Sequence, residues 1–198
     1  ATDQARQKRD TDPAADWILR LNSDYPGDIG VLAPIFLNLV CLKPGQAMYL
    51  EDGQLHAYLD GLGIELMANS DNVLRGGLTP KHIDVPELMR VLKFTAGEPQ
   101  IITPRQKTPG ENIYDTPVDE FILARLDVSA DCDYTAASQR SVEILLLVDG
   151  QVTITTEDGG DPFPLRRGES VLVPACLAGY SIQGKGQLYR ASVPLPAS

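Results

Sequence analysis

The sequence predicts a mainly β protein, a sandwich or barrel with short flanking helices. Three observations carry this. Short apolar runs with strand-like spacing recur along most of the chain, separated by turns rich in Gly, Pro and Asp. Helical spacing is confined to two stretches, near residues 13 and 85. Hydrophobic residues make up 43% and charged residues 22% of the 198, enough to bury a core and too apolar for a disordered chain.

Residues 1–11 are polar and read as loose. Asp12-Pro13 supplies an N-cap and a first-turn proline. Ala14, Trp17, Ile18 and Leu21 follow at helical spacing, and Tyr25-Pro26-Gly27 ends the helix. From Phe36 the pattern turns to β. Strands are expected at 36–42 and 47–50 around the turn Lys43-Pro44-Gly45-Gln46, at 56–59 and 63–68 around Asp60-Gly61, and at 73–78. Asp84-Val85-Pro86-Glu87 opens a short helix with Leu88, Val91 and Leu92 on one face. Pro99, Pro104, Pro109 and Pro117 mark 95–118 as an extended connector, or a strand with long loops. A second β block follows, with strands expected at 120–127, 142–148, 151–155, 170–173, 179–183 and 187–193. Asp149-Gly150 reads as a hairpin turn between two of them. The division expected is 1–28 helical, 29–94 a first β module, 95–118 connector and 119–198 a second β module.

Composition excludes several classes. A net charge of −10 argues against nucleic acid or an anionic membrane as partner, although a local pair of cations can still hold a small anion. No apolar run approaches 18 residues, so no membrane span is expected. Cys41, Cys132 and Cys176 are odd in number and widely spaced, which suggests reduced thiols in a cytoplasmic protein. The start, Ala1-Thr2-Asp3-Gln4, lacks both Met and an apolar leader. It reads as an internal cut, or as the product of Met removal before a small residue.

Two segments echo each other. Gly45, Gly53 and His56 line up with Gly168, Cys176 and Gly179, each a Gly-headed turn followed by a strand, a loop and a new strand. The spacing resembles the second signature of cupin jelly rolls. The first copy has Glu51 in place of the signature Pro; the second keeps Pro174 but has Gly179 where the His falls. Upstream of the second copy, Glu143 and Gly150 match the end of the first cupin signature, with Ser138-Gln139-Arg140 where its paired His belong. The fold class expected is therefore cupin-type jelly-roll modules, the second without metal ligands. A lone histidine is more often structural than a ligand, and one His does not hold zinc by itself.

The run from Tyr25 to Asn38 (YPGDIGVLAPIFLN), then Leu42 to Leu50, Leu55 to Leu59 and above all Gly63 to Lys81 (GIELMANSDNVLRGGLTPK), strongly resembles the type I mannose-6-phosphate isomerases. The resemblance is contiguous over about residues 24–92 and weaker beyond. It implies the C-terminal half of a zinc-dependent aldose–ketose isomerase that interconverts mannose 6-phosphate and fructose 6-phosphate through a cis-enediol. It also implies that the N-terminal half is missing, that the complete enzyme is monomeric, and that residues 29–94 end its catalytic barrel.

The same resemblance assigns roles. His56 matches one zinc ligand; a Gln, a His and a Glu that complete the set lie upstream in the family. Arg75 is expected to face the active-site cleft, its fork of donors suiting a phosphate or a developing oxyanion. Lys81 is a second cation for the same anion. Glu65 is a candidate for proton transfer or for orienting Arg75, as is Asp71, and either equally reads as a structural ion-pair partner. Tyr58, two residues from His56, is expected on the same face of a strand, in contact with substrate or simply packed. Glu65 and Arg75 thus stand as catalytic candidates, and Lys81, Tyr58 and Asp71 as substrate contacts. His82 has no assigned role. Two rival readings remain: a non-catalytic sugar-phosphate-binding or regulatory cupin that kept Arg75 and Lys81, and a structural accessory domain.

Overall fold

The computed structural model describes residues 2–70 and 72–195. By contact they group into two compact units: Ala1–Lys43, Met48–Asp60 and Asp71–Ile101, and then Pro44–Ala47, Gly61–Ser70 and Ile102–Ser198.

The first unit begins with helix α1 (Thr2–Lys8), where loose chain is expected. Its polar sequence hides one inward residue. Ala5 packs on Ala15 and Ile18 of helix α2 (Pro13–Asp24), and Asp3 in the first turn with Arg6 and Lys8 in the last suits the helix dipole. Helix α2 starts as the sequence indicates. The Asp12 carboxylate accepts from the Ala14 N–H at 3.0 Å, and Pro13 needs no partner at the first position. A 3₁₀ turn (Ile29–Leu32) and helix α3 (Ala33–Phe36) follow, α3 begun by Ala33-Pro34. Helix α4 (Val85–Val91) is capped by Asp84, whose carboxylate accepts from Glu87 N–H at 3.0 Å.

The strands expected at 36–42, 56–59, 63–68 and 73–78 do not form among the described residues. Phe36 instead ends α3 and is 78% exposed, and Leu39, Val40, Leu55, Met67 and Val73 are exposed as well. A strand exists only when a neighbour completes its ladder, and among the described residues these segments enter no strand. The one strand in this stretch, β1 (Ala47–Met48), pairs with β2 (Ile101–Ile102) as a separate two-stranded sheet.

The second unit holds the main sheet. Its strands are β3 (Arg105–Thr108), β4 (Glu111–Tyr114), β5 (Ile122–Val128), β6 (Tyr134–Thr135), β7 (Glu143–Thr156), β8 (Phe163–Arg166), β9 (Ser170–Val173) and β10 (Tyr180–Ser192). The order is β3-β4-β5-β10-β7-β8, with β6 also on β10 and β9 also on β7, and every pair is antiparallel. The proline-rich stretch, expected as an extended connector or a strand with long loops, contributes the β3–β4 hairpin.

Asp149-Gly150 is not a hairpin. Strand β7 runs straight through it, because both of its halves pair with the same neighbour, β10. The register shifts at this point: Leu147 faces Leu188 while Asp149 faces Gln187, leaving Val148 as an extra, bulged residue. The bulge changes which parity faces inward. Leu145 and Leu147 are buried before it, Val152 and Ile154 after it. Gly150 adopts φ +83°, and a Cβ there would overlap the Lys185 carbonyl oxygen and lie 2.7 Å from Gly186 Cα, so only glycine fits. The breaks between β5 and β6 (the Ser129–Cys132 bridge) and between β8 and β9 (Gly168, φ +86°) fall at adjoining levels of the sheet. Interruptions close together across neighbouring strands let the sheet curl around one core, as a jelly roll requires. That core comprises Leu126, Val128, Tyr134, Leu145, Leu147, Val152, Ile154, Leu165, Val173, Tyr180, Ile182 and Leu188.

Candidate functional site

In the first unit the candidate residues collect on two loops. His56 and Tyr58 sit in 54–60, and Arg75 and Lys81 in 72–81; all four are exposed. His56 Nδ1 lies 2.9 Å from the Gln54 carbonyl oxygen. A carbonyl only accepts, so Nδ1 carries a proton, which leaves Nε2 as the ring nitrogen that can ligate a metal. The His56 and Tyr58 rings meet edge-to-face, centroids 6.1 Å apart. The two residues therefore share a side, though not as strand neighbours.

The second loop is drawn to the first through glycine. Leu55 Cδ1 occupies the place a Cβ would take at Gly76, so the backbone at Arg75-Gly76 packs directly on the residue before His56. Three residues beyond Arg75, Leu78 N–H donates to Asp28 Oδ2 at 2.8 Å. Lys81 N–H donates to Thr79 Oγ1 at 3.2 Å, which turns the chain at Thr79-Pro80. Arg75 and Lys81 are thus presented from one short, pinned loop. The strand expected before Arg75 does not form among the described residues.

Glu65 is exposed and belongs to the second unit. Asp71 lies outside the described residues. Among the described residues no group of three or more His, Cys, Asp or Glu comes together as a metal cage. His56 fits a metal as one ligand, and the described residues do not complete a zinc site around it.

Inside the second unit lies a polar cluster that sequence reasoning did not foresee. Arg190 Nη2 donates to Glu111 Oε1 at 2.7 Å, Arg190 Nη1 to the Tyr134 hydroxyl, and the Tyr180 hydroxyl to Glu143 Oε2 at 2.8 Å. Arg140, which stands where the first cupin signature has histidine, brings Nε to 3.5 Å from Glu143 Oε2 and donates through Nη2 to the Leu177 carbonyl at 2.5 Å. Glu143 is therefore held by two guanidinium groups and a phenol, and a carboxylate so engaged is not offered to a cation. Burial pushes the Tyr180 phenol well above its usual range and raises that of Tyr134, with Glu143 adding to both shifts. Burial alone would lower the Arg190 guanidinium, but Tyr134, Glu111 and Glu143 outweigh it and the net direction is upward. The available signal was parity: Glu143 and Arg190 share the inward face with Leu145 and Leu188.

Comparison with known proteins points one way. Residues 111–193 match the family described as "Mannose-6-phosphate isomerase, cupin domain". The chain is 43% identical to the human mannose-6-phosphate isomerase over 163 residues, covering 80% of this chain and 38% of that protein. It is 42% identical to the Escherichia coli (strain K12) mannose-6-phosphate isomerase over 174 residues, covering 87% and 44%. A crystal structure of the Salmonella typhimurium mannose 6-phosphate isomerase, bound to substrate and a zinc atom, superposes with a TM-score of 0.82 at 35% identity. That match covers 97% of this chain and 48% of the other. The chain thus spans less than half the length of the relatives it matches.

Proposed function

Over the stretch of them that it spans, this chain belongs to the mannose-6-phosphate isomerase family, and from that premise we propose that it supplies the C-terminal part of an isomerase interconverting mannose 6-phosphate and fructose 6-phosphate. The observation that carries the reading is the pinned pair of loops, which presents an exposed imidazole, its Nδ1 held by the Gln54 carbonyl, beside a loop holding Arg75 and Lys81.

Aldose–ketose isomerisation moves a proton between C1 and C2 through a cis-enediol. It needs a base, a stabiliser for the developing enediolate oxygen and a hold on the phosphate. Arg75 stabilises the developing oxyanion, since its charge is fixed and its donors are arranged as a fork. Lys81 holds the anionic phosphate from the same loop, and Tyr58 lines the substrate beside His56. Glu65 transfers or relays the proton, and Asp71 is a further substrate contact. His56 holds one position on zinc, the relatives' metal, which when bound supplies Lewis-acid polarisation of the sugar oxygens. The remaining metal ligands come from the N-terminal part of such an enzyme. In this reading residues 29–94 belong to the catalytic barrel, and 119–198 form an accompanying jelly roll without a metal. The free thiols of Cys41, Cys132 and Cys176 fit a cytoplasmic setting, and the complete enzyme acts as a monomer.

The test assays the chain with zinc, alone and supplied with the part of the Escherichia coli relative that it does not cover. Alone it should turn nothing over, and together the two should interconvert the sugar phosphates. His56→Ala should abolish both turnover and zinc retention in the assembled protein. Turnover by the chain alone would sink the missing-ligand argument. An assembly that binds fructose 6-phosphate without converting it hands the case to the non-catalytic sugar-phosphate-binding reading.

A further inference from the structure

We propose that Asp28 is a positioning residue, whose carboxylate fixes the 75–81 loop and so sets where Arg75 and Lys81 stand. The geometry is independent of the proposed function; its chemical meaning rests on that reading.

Asp28 has two separate tasks. As N-cap of the 3₁₀ turn, its Oδ1 accepts from Gly30 N–H at 2.7 Å, which is ordinary local capping. Its Oδ2 accepts from Leu78 N–H at 2.8 Å, from a residue fifty positions further on. Capping does not require that second bond. The receiving residue is unusual too. Leu78 has φ +53°, the single non-glycine residue with positive φ among the described residues. A leucine occupies that conformation only when its surroundings hold it there. The neighbours are shaped to the same end. Gly77 takes φ +138°, and at Gly30 a Cβ would stand 3.0 Å from Asp28 Oδ1 and 3.2 Å from Leu78 Cγ, so both glycines make room for the tether. Arg75 lies three residues before the tethered amide and Lys81 three after it. Releasing Leu78 therefore shifts both cations together, without touching either side chain.

Asp28→Asn isolates the second task. Its amide oxygen still accepts from Gly30, while its NH₂ replaces the acceptor facing Leu78 N–H. The first measurement is amide hydrogen exchange on the full chain. Leu78 exchange should quicken by about tenfold or more in the variant, with Ala15 and Ile18 of α2 unchanged. The second uses the two-part isomerase described above. KM for mannose 6-phosphate should rise and kcat should fall, each about five- to tenfold, with thermal stability unchanged, because Lys81 and Arg75 move together while the fold is not altered. Adding Leu78→Gly should recover most of the loss, since glycine adopts positive φ without being held. Unchanged Leu78 exchange overturns the proposal. So does a loss shared equally by KM, kcat and thermal stability, or one that Leu78→Gly fails to relieve. If the unsubstituted assembly is inactive, the functional reading fails, and Leu78 exchange still decides the tether.

Discussion

Tyr180 shows how one side chain links packing to pH. Its ring is 1% exposed in the jelly-roll core while its hydroxyl donates to Glu143, itself held by Arg140 and Arg190. Burial raises its pKa above the ordinary 10.0, so above that pH the unfolded chain has released a proton that the folded chain still binds. Stability from this group is complete below pH 10 and declines as the pH climbs past it. Tyr180→Phe should cost about 1–3 kcal/mol near neutrality, because Glu143 loses its phenolic donor. It should also flatten the alkaline decline. Urea midpoints measured at pH 8 and pH 11 check both, and an unchanged alkaline slope would show that the tyrosine is not the titrating group. The site residues differ in how far the sequence revealed them. His56 and Tyr58 in the run 55–59, and Arg75 and Lys81 in the run 63–81, stand as candidates on the family motif, and their roles belong to the proposed function. Asp28 was missed although Asp-Ile-Gly after Pro-Gly is an N-cap signal, because nothing in one sequence pairs residue 28 with residue 78.

Among the elements, helices α2 and α4 were readable because their causes are local. An aspartate cap, a proline in the first turn and apolar spacing lie within a few residues of each other. The Asp149-Gly150 reading failed for the opposite reason. The dipeptide is a turn former in isolation, yet in the sheet the same positive φ serves a bulge, and pairing of both halves of β7 with β10 overrides the local preference. Gly150→Ala tests this directly. A Cβ at φ +83° would press on the Lys185 carbonyl, which cannot yield without breaking the β7–β10 ladder. The expected cost is at least about 3 kcal/mol, read as a fall in the urea midpoint of the full chain. If the dipeptide were an open hairpin turn, the alanine would cost much less.

Across the whole molecule, core and order are unevenly shared. Among the described residues, the second unit carries a core of twelve buried side chains, while the buried cluster of the first unit is Ala5, Ala15 and Ile18 with Leu19 and Leu32 against it. Hydrogen exchange should therefore be slowest in the central strands β5, β7 and β10. It should be fastest across residues 37–45 and 55–69, which carry exposed apolar side chains and no ladder. Adding the missing part of the relatives should slow exchange in those same segments, and unchanged rates there would count against a shared barrel.

The chain by itself determined its helix caps, its alternating β pattern and the family motif around His56 and Arg75, since each is written in residues close together along the backbone. Only the tertiary structure decided that β7 crosses Asp149-Gly150 unbroken, that Arg140, Arg190 and Glu111 enclose Glu143, and that Asp28 holds Leu78. These features depend on which distant segments meet, and a strand or a buried ion pair is stable only once its partner has arrived.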